Sequence, residues 1–212
     1  MVLLHCNSVS SSSNFISIVK DLGPVIISAI ALIFSYFLTK RTLKTQLKQT
    51  KMTFDAQKDT EARREIYKKL NDFYGPLLQI RQESNKLYEK FSEKYRNKDP
   101  NFATLTYLLN GFKFEGNDEI LLKEIIELGS KCEKIIHSKA GLIDDSELRT
   151  NLIPKAINHF FILRLAKEGV LIGESEKFKD LTFPRELDVV LEKRKKQLEE
   201  DLVALNKRIA DQ

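Results

Sequence analysis

The sequence predicts an all-α protein with one N-terminal transmembrane helix, a long juxtamembrane helix and a cytoplasmic helical bundle. Three observations predict it. Leu22 to Leu38 is a run of seventeen residues without a charge, stopped by Lys40 and Arg41. Residues 39 to 74 hold no Gly and no Pro, so one helix can leave the apolar run without meeting a breaker. Beyond it, apolar residues recur at helical spacing, and no convincing period-2 strand or hairpin signal appears.

The elements follow in order. Residues 1–14 include the run Ser10 to Ser13 and have few large apolar groups after Leu4, a composition that predicts a disordered tail. Residues 15–39 are the expected transmembrane segment. At ~1.5 Å per residue the uncharged run spans ~25 Å, against ~30 Å of hydrocarbon. Phe15 to Val19 extends it if Lys20 snorkels, and Pro24 is expected in the first turn or two, where its missing N–H costs little. A cleaved signal would need a charged start and a small-residue site after the run. The first nineteen residues instead lack Lys, Arg, Asp and Glu, and Thr39-Lys40-Arg41 follows. A buried core helix would rarely end in such a basic cluster.

Orientation is read from the flanks. Lys40, Arg41, Lys44, Lys48 and Lys51 precede Asp55, the first acid after the run, whereas Lys20, with Asp21 beside it, is the sole basic residue before the run. Basic residues stay on the cytoplasmic side, which predicts the N-terminus outside and the rest at the cytoplasmic face of the cell (inner) membrane. Cys6 and Cys132 would then lie on opposite sides and cannot pair within one chain. Cys132 reads as an ordinary buried helical residue.

Residues 40–60 are expected to form a basic juxtamembrane stalk. Leu43, Leu47, Thr50, Phe54, Gln57 and Glu61 follow a 4-3-4-3-4 spacing, but half are polar. That makes a weak coiled coil or a solvated helix. Residues 61–212 form the expected helical domain, long enough to bury its own core. Ile66, Leu70 and Phe73 share a face. Gly75-Pro76 predicts a turn or kink, read either as a hinge or as a helix–helix turn with Pro at the next start. Leu77 to Tyr95 carries the stripe Leu77, Ile80, Leu87, Tyr88, Phe91, Tyr95. A short helix from Phe102 to Leu109 stops at Asn110-Gly111. Asn117 or Asp118 is expected to cap a helix to His137. Ser146 opens a stretch interrupted at Pro154, residues 155–168 form the most apolar helix of this part, and residues 170–180 are irregular. Pro184 begins the last helix, with Leu187, Leu191, Leu198, Leu202, Leu205 and Ile209 on one stripe and Glu192 to Lys196 solvated. Short strands, if any, would lie at 112–115 and 170–172.

Charge excludes one partner class. The chain has 35 basic and 30 acidic residues, but 76–212 hold 24 of each. The whole excess lies in 39–75, beside the expected membrane. That distribution fits anionic lipid, or a topology signal alone, and not nucleic acid. Membrane-surface contact is expected from Lys40, Arg41, Lys44, Lys48 and Lys51. Ser28, Ala31 and Ser35 lie at i, i+3 and i+7 and are the expected helix-packing face in lipid.

No HExxH, Walker, GxGxxG or GxSxG pattern occurs, and no catalytic, cofactor-binding or metal residues are predicted. His159 sits on an apolar helix, where a histidine is more often a satisfied core residue than a base. His137 lies on another helix. Arg164 and Glu168, at i and i+4, read as a routine helical ion pair, or else as anchors of a polar contact with His159 or the loop near Gly173.

The strings EARREIYKKLNDFYGPLLQIR (61–81) and INHFFILRLAKEG (157–169) resemble bacterial single-pass membrane proteins with one N-terminal span and a helical cytoplasmic domain. The resemblance covers roughly residues 20 to 200 and implies no activity or catalytic residues. Some proteins of that build act as membrane effectors in bacterial defence. The expected function is therefore a non-enzymatic, membrane-anchored interaction or assembly protein. An oligomerising membrane-disrupting effector is the alternative, and a hydrolase built from His137, His159 and nearby carboxylates is a third. Expected partners are the lipid bilayer, a second copy of the chain and a further protein.

Overall fold

The computed structural model describes residues 11–210, with side chains from residue 24 onward. The described residues are helical, with no strand, which removes the strands considered at 112–115 and 170–172. Among the described residues, seven α-helices follow in order: α1 (Ser11–Lys69), α2 (Gly75–Arg96), α3 (Thr104–Leu109), α4 (Asn117–Lys139), α5 (Ile153–Lys167), α6 (Ser175–Phe178) and α7 (Glu186–Ala210). The chain divides into two units, Met1–Lys58 and Asp59–Gln212.

In the first unit, α1 supplies the one candidate membrane span among the described residues. None of its apolar window is buried. The tail expected over 1–14 lies outside the described residues as far as residue 10, and from Ser11 the backbone is already helical. Pro24 is therefore well inside a helix rather than in its opening turns. It has no N–H for the carbonyl four residues earlier. Lys40, Arg41, Lys44, Lys48 and Lys51 are exposed, as are the heptad-spaced residues Leu43, Leu47, Thr50, Phe54, Gln57 and Glu61.

The second unit is a helical bundle in which α4 packs chiefly against α2 and α5, and α7 closes on α2. Its apolar residues form two clusters. Phe73, Leu77, Leu78, Leu148, Leu152, Leu187 and Leu191 belong to one. Phe91, Phe102, Leu109, Leu122 and Leu163 belong to the other. Helix α2 contributes to both, with its first turns in one cluster and Phe91 in the other. Gly129 of α4 faces α5, and a Cβ there would fall 2.8 Å from Phe160 Cδ1.

Two prolines are absorbed by the same device. Gly75-Pro76 makes neither a turn nor a break. A π-helical turn, Leu70–Tyr74, leads directly into α2, and Gly75 N–H donates to Leu70 O. Pro154 is preceded identically by Leu148–Leu152, with Ile153 N–H donating to Leu148 O. A proline removes the donor to the carbonyl four residues back and crowds that carbonyl with its ring. One extra residue in the preceding turn relieves both problems while the helix continues.

Smaller expectations also shift. Asn110-Gly111 and Gly169 end α3 and α5 as expected, each glycine at positive φ. Neither Asn117 nor Asp118 caps α4. Gly116, at φ 60°, turns the chain into the helix without a side-chain cap. Asp118 is then free to accept from Tyr95 and pair with Lys94. The irregular 170–180 segment contains the single turn α6. Arg194, placed in a solvated stretch by sequence, is half-buried and pairs with Asp144.

Gly129 gives a direct test of the packing. Overfilled cores lose ~1–3 kcal/mol. Gly129→Ala should therefore lower the unfolding midpoint of residues 59–212 clearly, whereas Gly141→Ala, with nothing within 4 Å of the new Cβ, should leave it nearly unchanged. Equal midpoints for the two variants would contradict the α4–α5 approach.

Candidate functional site

A cleft of about 440 Å³ opens in the second unit, lined from α2, the start of α3, α4, α5 and the approach to α7. Its position follows from the sequence of α2. Leu77, Arg81, Ser84, Tyr88, Phe91 and Tyr95 repeat at 4-3-4-3-4 along one side. Two of these six positions are polar, and both are buried: Arg81 is 5% exposed and Ser84 4%. They fall between the stretches of α2 that feed the two apolar clusters. Ser84 lines the cleft there, a short side chain in a stripe that otherwise carries large ones.

Arg81 is held on several sides. Its Nε donates to Asp188 Oδ1 at 2.9 Å and its Nη2 to Asp188 Oδ2 at 3.1 Å. Asn85 Oδ1 accepts from the same Nη2 at 2.8 Å, while Asn85 Nδ2 donates to Asp188 Oδ2 at 2.7 Å. The guanidinium carbon lies 3.8 Å from the centre of the Phe183 ring. A planar, two-pronged cation suits both the carboxylate and the ring. Arg81 is buried and Asp188 partly so, and removing either partner leaves the other charge without its counter-charge.

His159 lies beside this cluster, its ring 5.7 Å from that of Phe183. Leu181 O, 2.8 Å from Nδ1, can only accept, so Nδ1 carries the proton and Nε2 is an acceptor. Burial disfavours the charged ring and lowers its pKa from the usual 6.5. The Leu181 contact opposes that, and the Arg81 charge adds to the lowering. At the rim, Arg96 lies over Tyr88, and the exposed Arg185 also lines the cleft.

The two histidines line different cavities. His137 borders a shallow groove with Ser130, Glu133 and Arg164, so no site is assembled from the pair. Arg164 does not take Glu168. Its Nη1 donates to Glu133 Oε2 at 3.1 Å and to Ser130 Oγ at 3.2 Å. Both partners lie on the neighbouring helix α4 and are less exposed than Glu168. Glu133 Oε1 is buried without a hydrogen-bond partner. Cys132 is a buried free thiol, as expected, and burial pushes its pKa up to about 11. Among the described residues no three His, Cys, Asp or Glu side chains gather as a metal site.

A second polar cluster surrounds Asp144, on the loop after α4. Tyr74 Oη donates to it at 2.7 Å, Lys69 Nζ lies at 3.0 Å and Arg194 Nη2 donates at 2.6 Å. Burial alone would raise its pKa. The bonds from Arg194, Tyr74 and Lys69 outweigh that and hold it well below the usual carboxylate range. On α1, the expected packing residues Ser28, Ala31 and Ser35 are exposed and share a side of the helix. Ser28 Oγ donates to Pro24 O at 2.7 Å, so its hydroxyl is spent within its own helix. The sequence reading missed Arg81, Ser84 and Asp188. The available signal was an arginine and a serine at two consecutive positions of a 4-3 stripe.

No protein-family model, curated protein or solved structure matches this chain.

The buried histidine has a pH consequence. Its pKa is lower folded than unfolded, so its contribution to stability is full above about 6.5 and declines as pH falls through the folded value. His159→Asn keeps a donor for Leu181 O and removes the titration. Between pH 7 and pH 5 the urea midpoint of the parent should fall more than that of His159→Asn. Parallel curves would show that His159 is not buried in its neutral form.

Proposed function

We propose that the chain is a membrane-anchored, non-enzymatic interaction or assembly protein, with α1 spanning the cell (inner) membrane once and the helical unit at the cytoplasmic face. The supporting observation is the state of the apolar run. Ten large side chains from Val25 to Leu38 are 52–71% exposed. Burying a side chain of this kind from full exposure is worth ~1.5–3 kcal/mol, so the area left open on ten of them is worth an amount comparable to the ~5–15 kcal/mol net stability of a typical domain. Lipid is the solvent that resolves this. The basic residues Lys40, Arg41, Lys44, Lys48 and Lys51 follow at the end expected to meet anionic headgroups. Confinement to two dimensions raises local concentration, so weak contacts between copies become effective.

The second reading is an oligomerising membrane-disrupting effector. What favours it is the small-residue side Ser28, Ala31 and Ser35, which allows close helix approach in lipid. The internal bond of Ser28 leaves packing, rather than that hydroxyl, as the available attraction. Prompt loss of membrane potential on expression, abolished by changing Ser28 and Ser35 together to Leu, would move the assignment to the effector.

Topology can be read with the native thiols. A membrane-impermeant maleimide added to intact cells should label the chain, and Cys6→Ser should remove that label, because Cys132 is 1% exposed. In a Cys6→Ser, Gln212→Cys protein the label should appear only after lysis. Labelling of residue 212 in intact cells would reverse the orientation.

A further inference from the structure

We propose that the cleft beside Arg81 is a binding site for a small organic anion with an apolar body, such as a medium-chain carboxylate. This goes beyond the membrane-anchor reading and does not depend on it. The cleft's volume, about 440 Å³, lies within the ~300–1,000 Å³ range of small-molecule sites. Such sites are mostly apolar with a few convergent polar groups, and this one has that make-up. Phe102, Leu105, Phe160 and Leu163 contribute apolar wall, while Asn85, Tyr88, Thr104 and His159 contribute polar atoms.

The charge of the lining selects the ligand. Three arginines, Arg81, Arg96 and Arg185, line the cleft with two acids, Glu89 and Asp188. Asp188 is consumed by Arg81 in the two-pronged pair. That leaves Arg96 and Arg185 at the rim against Glu89 alone, a surplus of one positive charge. Arg96 is steadied by the Tyr88 ring 5.4 Å away, which leaves its guanidinium edges available to a carboxylate. An anion at the rim with its apolar part directed between α3 and α5 satisfies both halves. A neutral apolar ligand would leave the arginines unused, and a cation would oppose them.

Ser84 lines the cleft, and a leucine at this position of the stripe would fill part of that space. The chain instead carries a buried serine there.

The test uses the full chain in phosphatidylcholine nanodiscs, with octanoate as the probe, 1-octanol as its neutral counterpart and empty nanodiscs as the partition control. Titration calorimetry should give saturable octanoate binding, one per chain, at least tenfold tighter than 1-octanol. Arg185→Glu, a change at an exposed rim position, should weaken octanoate at least tenfold and leave 1-octanol unchanged. Ser84→Leu should abolish both, and circular dichroism checks that it remains folded. Octanoate uptake that matches empty nanodiscs would overturn the site. Equal affinity for octanoate and 1-octanol, or no effect of Arg185→Glu, would overturn its assignment to an anion.

Discussion

The constraint on which the rest of the structure depends is the apolar run that α1 does not bury. Side chains from Val25 to Leu38 stand open, so this stretch adds nothing to a protein core. The remaining sequence has to close its own interior, and it does so with α2, α4, α5 and α7 around two apolar clusters. Charge follows the same division. The excess of basic residues lies between 39 and 75, and the helical unit beyond is balanced.

Within that unit, two arginines occupy inward helical positions, and each takes an aspartate from a different element. Arg81 of α2 meets Asp188 of α7, and Arg194 of α7 meets Asp144 of the loop after α4. Apolar contacts tolerate sliding of one helix along another. A two-pronged ion pair does not, because its geometry is directional. Two such pairs at different points along α7 are each best satisfied in one register of that helix. Asp144 also gathers Tyr74 and Lys69, which ties the π-helical turn before α2 to the same loop.

Much of the fold was legible in the sequence, for reasons tied to particular residues. Helical periodicity located α2, α4, α5 and α7, and Gly111 and Gly169 ended helices where a left-handed residue was needed. Gly75-Pro76 misled because the proline rule describes a regular α-helix. A π turn changes the hydrogen-bond register and lets the chain continue. Arg164 paired across helices rather than along its own, since sequence spacing reports only local neighbours. The cleft was illegible for the same reason. Its polar residues come from α2, α3, α5 and α7, and only the fold sets them side by side. The trace left in the sequence was Arg81 and Ser84 within an apolar stripe, where polar residues read as interruptions rather than as lining.

The central proposal is that one apolar helix anchors the chain in a bilayer while residues 59–212 close a core of their own. Alkaline carbonate extraction of cells expressing either the whole chain or residues 59–212 tests it most directly. The account predicts that the whole chain stays in the membrane pellet and that residues 59–212 appear in the supernatant as a helical, cooperatively unfolding protein. Release of the whole chain by carbonate, or a fragment that remains with the membrane or lacks a cooperative transition, would contradict it.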